Sequence, residues 1–303
     1  MLRRQKERSY PMAKRKQNKI TFSTILILLL FFGLYLLLDS AGALGGSPIS
    51  HPKGTVQVHF IDVGQGDAIY IRTPSQDILI DAGERGDTVL DYLRNQKVDD
   101  LELVIGTHPH SDHIGGLIDV LGEIPTKEIV DPGIVHTSKT YEDYLRQIDA
   151  KNIRFTEGRA GMKRTFEDGV VLEILSPVSP DEDDLNESSV VTRLTYGKIS
   201  FLFAGDAGIQ SEKEMLKGGP SLRSTVLKVG HHGSSTGTGD DFLKAVAPKA
   251  AVILCGAGNS YGHPHKEILE KLKAADIDIY RTDIMGTIVM ETDGSTYKVI
   301  RER

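Results

Sequence analysis

Cysteine occurs once in the 303 residues, at Cys255, and that scarcity excludes an internal disulfide. Cys255 also lies far from the N-terminal apolar run, so no cysteine is placed there for a lipoprotein anchor. It closes the run Ala251-Val252-Ile253-Leu254, the setting of a buried structural thiol. Positive charge is scarce as well. Lys and Arg number 36 against 42 Asp and Glu, for a net charge of −6. Eight basic residues (Arg3, Arg4, Lys6, Arg8, Lys14, Arg15, Lys16, Lys19) stand against Glu7 in the first 19 positions, which leaves about −13 for the rest. An acidic surface of that kind does not attract nucleic acid through bulk charge, because phosphate contacts need local Lys or Arg. A cleft filled with metal ions is nevertheless locally positive on an acidic body.

Residues 1–19 read as a basic leader and 20–38 as an almost unbroken apolar run. About 19 residues rising 1.5 Å each span roughly 28 Å, close to the hydrocarbon thickness of a bilayer. The basic flank predicts a cytoplasmic N-terminus and an extracellular C-terminal domain on a single-pass membrane anchor. Ala41-Gly42-Ala43 also offers a small-residue cleavage site, which would make the segment a removed signal and the domain secreted. Residues 39–53, rich in Gly, Ser and Pro from Gly42 onward, read as a flexible stalk, and 54–303 as one large domain.

Within that domain, Val56 to Ile71 alternates like two strands around Gly64-Gln65-Gly66. Further strands are predicted at Asp77 to Ile80, Leu101 to Ile105, Val170 to Leu175, Val190 to Thr195, Ile199 to Phe203, Thr225 to Val229, Ala250 to Leu254, Thr287 to Met290 and Tyr297 to Ile300. Helices are predicted at Val89 to Arg94, Gly115 to Leu121, Tyr141 to Ile148, Asp241 to Ala245 and Lys266 to Ala274. Two strand-rich stretches with helices between them suggest sheets packed face to face under outer helices.

The densest chemistry lies in Thr107-His108-Pro109-His110-Ser111-Asp112-His113-Ile114-Gly115-Gly116. A strand tip delivers two imidazoles, and the start of a helix then delivers a carboxylate and a third imidazole. Borderline divalent ions such as zinc or manganese accept this donor set, and the spacing suits two adjacent ions.

This H-x-H-x-D-H string resembles the signature of the metallo-β-lactamase superfamily. Phe60-Ile61-Asp62-Val63-Gly64-Gln65-Gly66-Asp67-Ala68, Leu79-Ile80-Asp81-Ala82-Gly83, Phe203-Ala204-Gly205-Asp206, Lys228-Val229-Gly230-His231-His232-Gly233-Ser234 and Tyr261-Gly262-His263-Pro264-His265 resemble, in order, the hydrolase domain of the ComEC family of competence proteins. The matched strings cover roughly residues 54 to 303, and nothing else here resembles that family's membrane channel or OB-like domain. The resemblance implies an α/β protein, an αββα sandwich with its site along one edge. It implies two divalent ions (Zn²⁺ or Mn²⁺). The first would be held by His108 and His110, the second by Asp112, His113 and His231, with Asp206 as the bridge. The usual third histidine of the first site is missing, since no histidine lies between His136 and His231. Asn186-Glu187-Ser188-Ser189 occupies that region, leaving Asn186 or Ser189 to reach the ion directly or through water.

Two ions would carry a bridging hydroxide that attacks phosphorus or a carbonyl, with Asp112 assisting proton movement. Asp81 is expected to orient a ligand imidazole. His232, Lys228 and His263 are candidates for gripping a phosphate or protonating the leaving oxygen. Gln65 and Asp67 are candidates for substrate contact, and His265 for a helix cap that also lines the cleft. The leading expectation is an extracytoplasmic phosphodiesterase acting on DNA, a partner of DNA-uptake machinery. A hydrolase of small phosphodiesters, lactones or thioesters is the second reading, and a non-catalytic DNA-binding or assembly module the third.

Overall fold

The computed structural model describes residues 49–218 and 221–301. The basic leader, the apolar segment and positions 39–48 of the stalk lie outside the described residues. Among those described, no helix is long and apolar enough to cross a membrane.

Period-2 hydrophobicity builds the layers. In β1 (Val56–Phe60), Val56, Val58 and Phe60 point into one apolar cluster while Gln57 and His59 face the other way. The following strands are β2 (Ala68–Arg72), β3 (Asp77–Ala82), β4 (Leu103–Ile105), β5 (Glu128–Asp131) and β6 (Arg154–Glu157). Together with β14 (Ile288–Thr292) and β15 (Tyr297–Arg301) they form one sheet in the order β15-β14-β1-β2-β3-β4-β5-β6. The second sheet runs β13-β12-β11-β10-β9-β8-β7. Its strands are β7 (Lys163–Thr165), β8 (Val171–Ser176), β9 (Val191–Tyr196), β10 (Ile199–Phe203), β11 (Val226–Lys228), β12 (Ala250–Ile253) and β13 (Asp278–Arg281).

Residues from both sheets share the central cluster, among them Phe60, Ile69, Ile80 and Ile105 against Phe201, Phe203, Val226 and Val252. The alternate residues of the same strands serve two outer clusters. Tyr70, Leu79 and Val104 pack beneath α1 (Thr88–Asn95), α2 (Ser111–Ile114), α3 (Leu117–Glu123) and α4 (Lys139–Ala150). Leu202, Leu227, Ala251 and Ile253 pack beneath α5 (Ile209–Gly218), α6 (Asp240–Val246) and α7 (Lys266–Ala274). Strands apolar on both faces, such as β12, are thus buried between helices and the facing sheet, as parallel strands usually are. The layers are helix, sheet, sheet, helix.

β3 to β6 run parallel in the first sheet and β10 to β13 in the second. Loops leaving β4, β10, β11 and β12 carry the motif residues, and β3 ends on another of them. Some elements escape the sequence pattern. β6 and β7 are edge strands with exposed, polar sequences, RFTE and KRT, so no alternation marks them. The helix expected from Gly115 to Leu121 is instead two pieces. The first begins at Ser111 with His110 as its N-terminal flank, and the second starts at Leu117.

Candidate metal centre

The cluster grows out of β4. The chain leaves Ile105 through Gly106 and Thr107, and Thr107 donates from both its backbone N–H (2.8 Å) and its hydroxyl (2.6 Å) to Asp81, at the end of β3. The same carboxylate accepts from Nδ1 of His113 at 2.8 Å. Asp81 is fully buried, so its charge is spent on fixing the strand tip and one imidazole. Two glycines permit the close packing. A Cβ on Gly116 would lie 2.2 Å from the Ala82 carbonyl oxygen. A Cβ on Gly66, whose φ is +127°, would lie 2.3 Å from that of Asp112. The Gly64-Gln65-Gly66 turn is thereby pressed against the helix that carries Asp112 and His113, with Asp67 N–H bonded to the Asp112 carbonyl at 3.1 Å.

On the other sheet, Asp206 follows β10 through Gly205, and its backbone N–H donates to the buried Ser189 hydroxyl at 3.2 Å. Asp206 Oδ2 is the focus of the site. It lies 3.3 Å from His113 Nε2, 3.4 Å from His232 Nε2, 3.7 Å from His231 Nε2 and 3.9 Å from His108 Nε2. His232 Nε2 also stands 3.4 Å from Asp112 Oδ2. His108 Nε2 and His110 Nδ1 are 2.8 Å apart. Three side chains here adopt left-handed backbone: Asp81 (φ 54°), His231 (φ 47°) and His232 (φ 53°). Such conformations are costly outside glycine and concentrate at functional sites.

A divalent ion fits this donor set. His113 Nε2, His232 Nε2 and Asp206 Oδ1 are buried and make no hydrogen bond, although buried polar atoms are nearly always paired. Among the described residues three groups of donors converge closely enough to hold an ion: His108, His113 and Asp206; Asp112, His113 and His232; and Asp67, Asp81 and His113. Burial holds His108, His110 and His231 below the ordinary imidazole range, which favours their neutral form. Burial also opposes charge on His113 and His232, yet the Asp206 carboxylate, with Asp81 for the first and Asp112 and Asp67 for the second, holds both well above it. Asp206 itself resists its burial and lies well below the usual carboxylate range because His232 and His113 surround it. The centre thus draws positive charge toward Asp206.

Several sequence expectations meet different geometry. His232, expected to contact phosphate, is buried in the cluster, its Nδ1 held 3.0 Å from the Leu254 carbonyl. His231, expected as the ligand, is partly exposed and turns its Nδ1 to the Thr236 hydroxyl at 2.8 Å. Lys228 does not enter the cleft. It is fully buried behind the cluster, ion-paired with Asp67 and donating to the Gly205 carbonyl at 2.8 Å, because β11 points that side chain between the sheets. Asp67 is correspondingly a buried counter-ion of Lys228. His265 flanks the start of α7 but makes no capping bond; its Nδ1 accepts from Ser235 N–H at 3.0 Å. The Oδ1 of Asn186 is buried and has no hydrogen-bond partner. Ser189 acts on Asp206 through the backbone.

A polar cavity of about 290 Å³ opens above Asp206, lined in part by Gln65, His110, Asp112, His231, His232 and His263. Tyr261 and Ser111 complete its rim. Burial, then the neighbouring histidines, lower His263 to about 4, so it is neutral near pH 7. Sequence reasoning passed over Thr107, whose place between a strand end and the first motif histidine was the available signal, and it gave Tyr261 no role.

Comparison with known proteins agrees with this geometry. Residues 61–257 match the profile of the metallo-beta-lactamase superfamily. The chain is 33% identical over 253 residues to ComE operon protein 3 of Bacillus subtilis, covering 77% of this chain and 32% of that protein. It is 32% identical over 254 residues to competence protein ComA of Neisseria gonorrhoeae, covering 82% and 34%. A shorter match, 31% over 110 residues (34% of this chain and 38% of the other), joins it to exodeoxyribonuclease WalJ of Streptococcus pneumoniae. The chain spans about a third of the length of the competence-protein relatives. Among solved structures, Igni18, a metallo hydrolase from Ignicoccus hospitalis, superposes with a TM-score of 0.54 at 18% identity, covering 77% of this chain and 98% of that one. The fold, the buried ligand cluster and the matched profile lead to one assignment: the chain belongs to the metallo-beta-lactamase superfamily and carries a domain of the type found in ComEC-like competence proteins.

Proposed function

We propose that this domain is a phosphodiesterase that cleaves DNA with two divalent ions, zinc or manganese. The observation that carries the reading is the convergence of His113 Nε2, His232 Nε2 and Asp206 Oδ1, buried atoms without a hydrogen bond, at an open polar cavity that His232 and Asp206 line. His108, His110 and Asp206 would hold one ion, and Asp112, His113 and His232 the other, with His231 beside them. Bound there, the ions supply Lewis acidity and bring a water molecule's pKa toward neutrality. Asp112, part-exposed at the cavity, is placed to take a proton, and Asp81 keeps His113 Nδ1 protonated so that Nε2 faces inward. Lys228 and Asp67 brace the cluster from behind. Neutral His263 offers its ring to a phosphate or leaving-group oxygen.

The relatives' names, competence protein and exodeoxyribonuclease, support DNA as the substrate. The basic leader and apolar run of residues 1–38 support action outside the cytoplasmic membrane, alongside DNA-uptake machinery. The test is cleavage of labelled single- and double-stranded DNA by the purified chain with Mn²⁺ and Zn²⁺ separately, next to Asp206→Ala. Metal-dependent cleavage lost in the variant is expected. Absence of cleavage with ions bound would move the search to small esters. Protease access to the domain on intact cells tests the location.

A further inference from the structure

Tyr261 is 65% exposed, at the rim of the cavity above Asp206. Single exposed aromatics are common and by themselves mean nothing. This one is built in. Asn259 clasps the loop from both sides, its Nδ2 donating to the carbonyls of Gly256 (2.9 Å) and His263 (2.6 Å) while its Oδ1 accepts from His263 N–H at 3.0 Å. The clasp holds the Tyr261 ring in solvent, stacked on His263 with centroids 5.6 Å apart and planes at 17°. From His263 a second ring step of 6.1 Å reaches His232, whose Nε2 is 3.4 Å from Asp206. A row of three rings therefore leads from solvent toward Asp206. Beside it, Gln65 lines the same cavity; its Oε1 accepts from Gly256 N–H at 3.4 Å, and its buried Nε2 has no partner.

We infer that Tyr261 is a stacking platform for a nucleobase of the substrate, one that seats an unpaired base next to the phosphate under attack. The inference rests on the phosphodiesterase reading and deepens it. An exposed planar ring suits every base, since each has a π-face, and it suits a single-stranded or frayed end because paired bases hide theirs. A small aliphatic ester has nothing to place on these rings.

Two measurements test it. The first compares kcat/KM of the full chain, Tyr261→Phe and Tyr261→Ala on an oligothymidylate and on the same backbone made abasic. Stacking of one base predicts a loss of about 5- to 150-fold for Tyr261→Ala on the base-bearing strand, carried mainly by KM. Tyr261→Phe should retain activity, and all three proteins should treat the abasic strand alike. Equal loss on both strands, or no loss on either, overturns the assignment. The second uses Tyr261→Trp, which introduces the only tryptophan into a chain that has none. Its fluorescence should be quenched by the oligothymidylate and not by the abasic strand. This readout needs no turnover, so it separates the two ideas. Quenching without cleavage keeps the platform and refutes the nuclease reading, whereas cleavage without quenching does the reverse.

Discussion

Replacing Asp81 by Asn exchanges one oxygen for an amino group and should weaken metal binding at the candidate centre. Asp81 accepts three hydrogen bonds in a fully buried position, two from Thr107 and one from His113 Nδ1. With an amide there, Oδ1 keeps the Thr107 N–H, and the new N–H₂ faces His113. His113 Nδ1 must then accept, and its proton moves to Nε2, the atom 3.3 Å from Asp206 that has to offer a lone pair. Reversing the tautomer on binding costs affinity. Loss of such an orienting partner typically weakens a site 10- to 100-fold, or about 1.4–2.7 kcal/mol. Zinc titration against a competing chelator reads the change, with circular dichroism to show that the variant is folded. Thr107→Val removes one hydrogen bond but leaves the tautomer alone, so it should lose less. A folded Asp81→Asn protein that binds zinc as tightly as the parent would refute the argument that Asp81 sets the His113 tautomer.

Other perturbations have defined outcomes. Lys228→Met leaves the buried Asp67 carboxylate only His232 as a counter-charge and should cost up to about 3–5 kcal/mol in a denaturant titration; an unchanged midpoint would mean the pair is dispensable. Gly66→Ala drives a methyl group to 2.3 Å from the Asp112 carbonyl and should weaken metal binding at least about tenfold, whereas Gly64→Ala, with open space around it, should cost only about 1 kcal/mol of stability. Burial raises Asp131 from 3.8 to about 7. Because the folded state holds that proton more tightly than the unfolded chain, its contribution is complete below pH 4 and disappears as pH rises through 7. Stability should fall by about 2 kcal/mol between pH 5.5 and 8.5 from this group, and Asp131→Asn should flatten that part of the profile. A profile identical in both proteins would contradict it.

Much of this protein was legible in its residues because the signals are local. Alternation in Val56 to Phe60 and Ile69 to Ile80, and doubly apolar strands such as Ala250–Ile253, require two sheets with covered outer faces. The six-residue spread of His108, His110, Asp112 and His113 brings donors together without help from distant chain. Polar edge strands at Arg154–Glu157 and Lys163–Thr165 were illegible, since an exposed edge has no buried face to pattern.

Tertiary structure decided the rest. Sequence alone fixed neither which of two adjacent histidines turns inward nor where Lys228 points. Left-handed backbone at His231 and His232, with the Leu254 carbonyl and Asp67 gripping the second ring, aims His232 at Asp206. Lys228 is drawn to a carboxylate 161 positions away in sequence, between the sheets. Tyr261 became a rim residue only through the Asn259 clasp. Short-range spacing specifies which ligands exist. Their aim depends on charges and carbonyls from remote strands, and those meet only when the two sheets close.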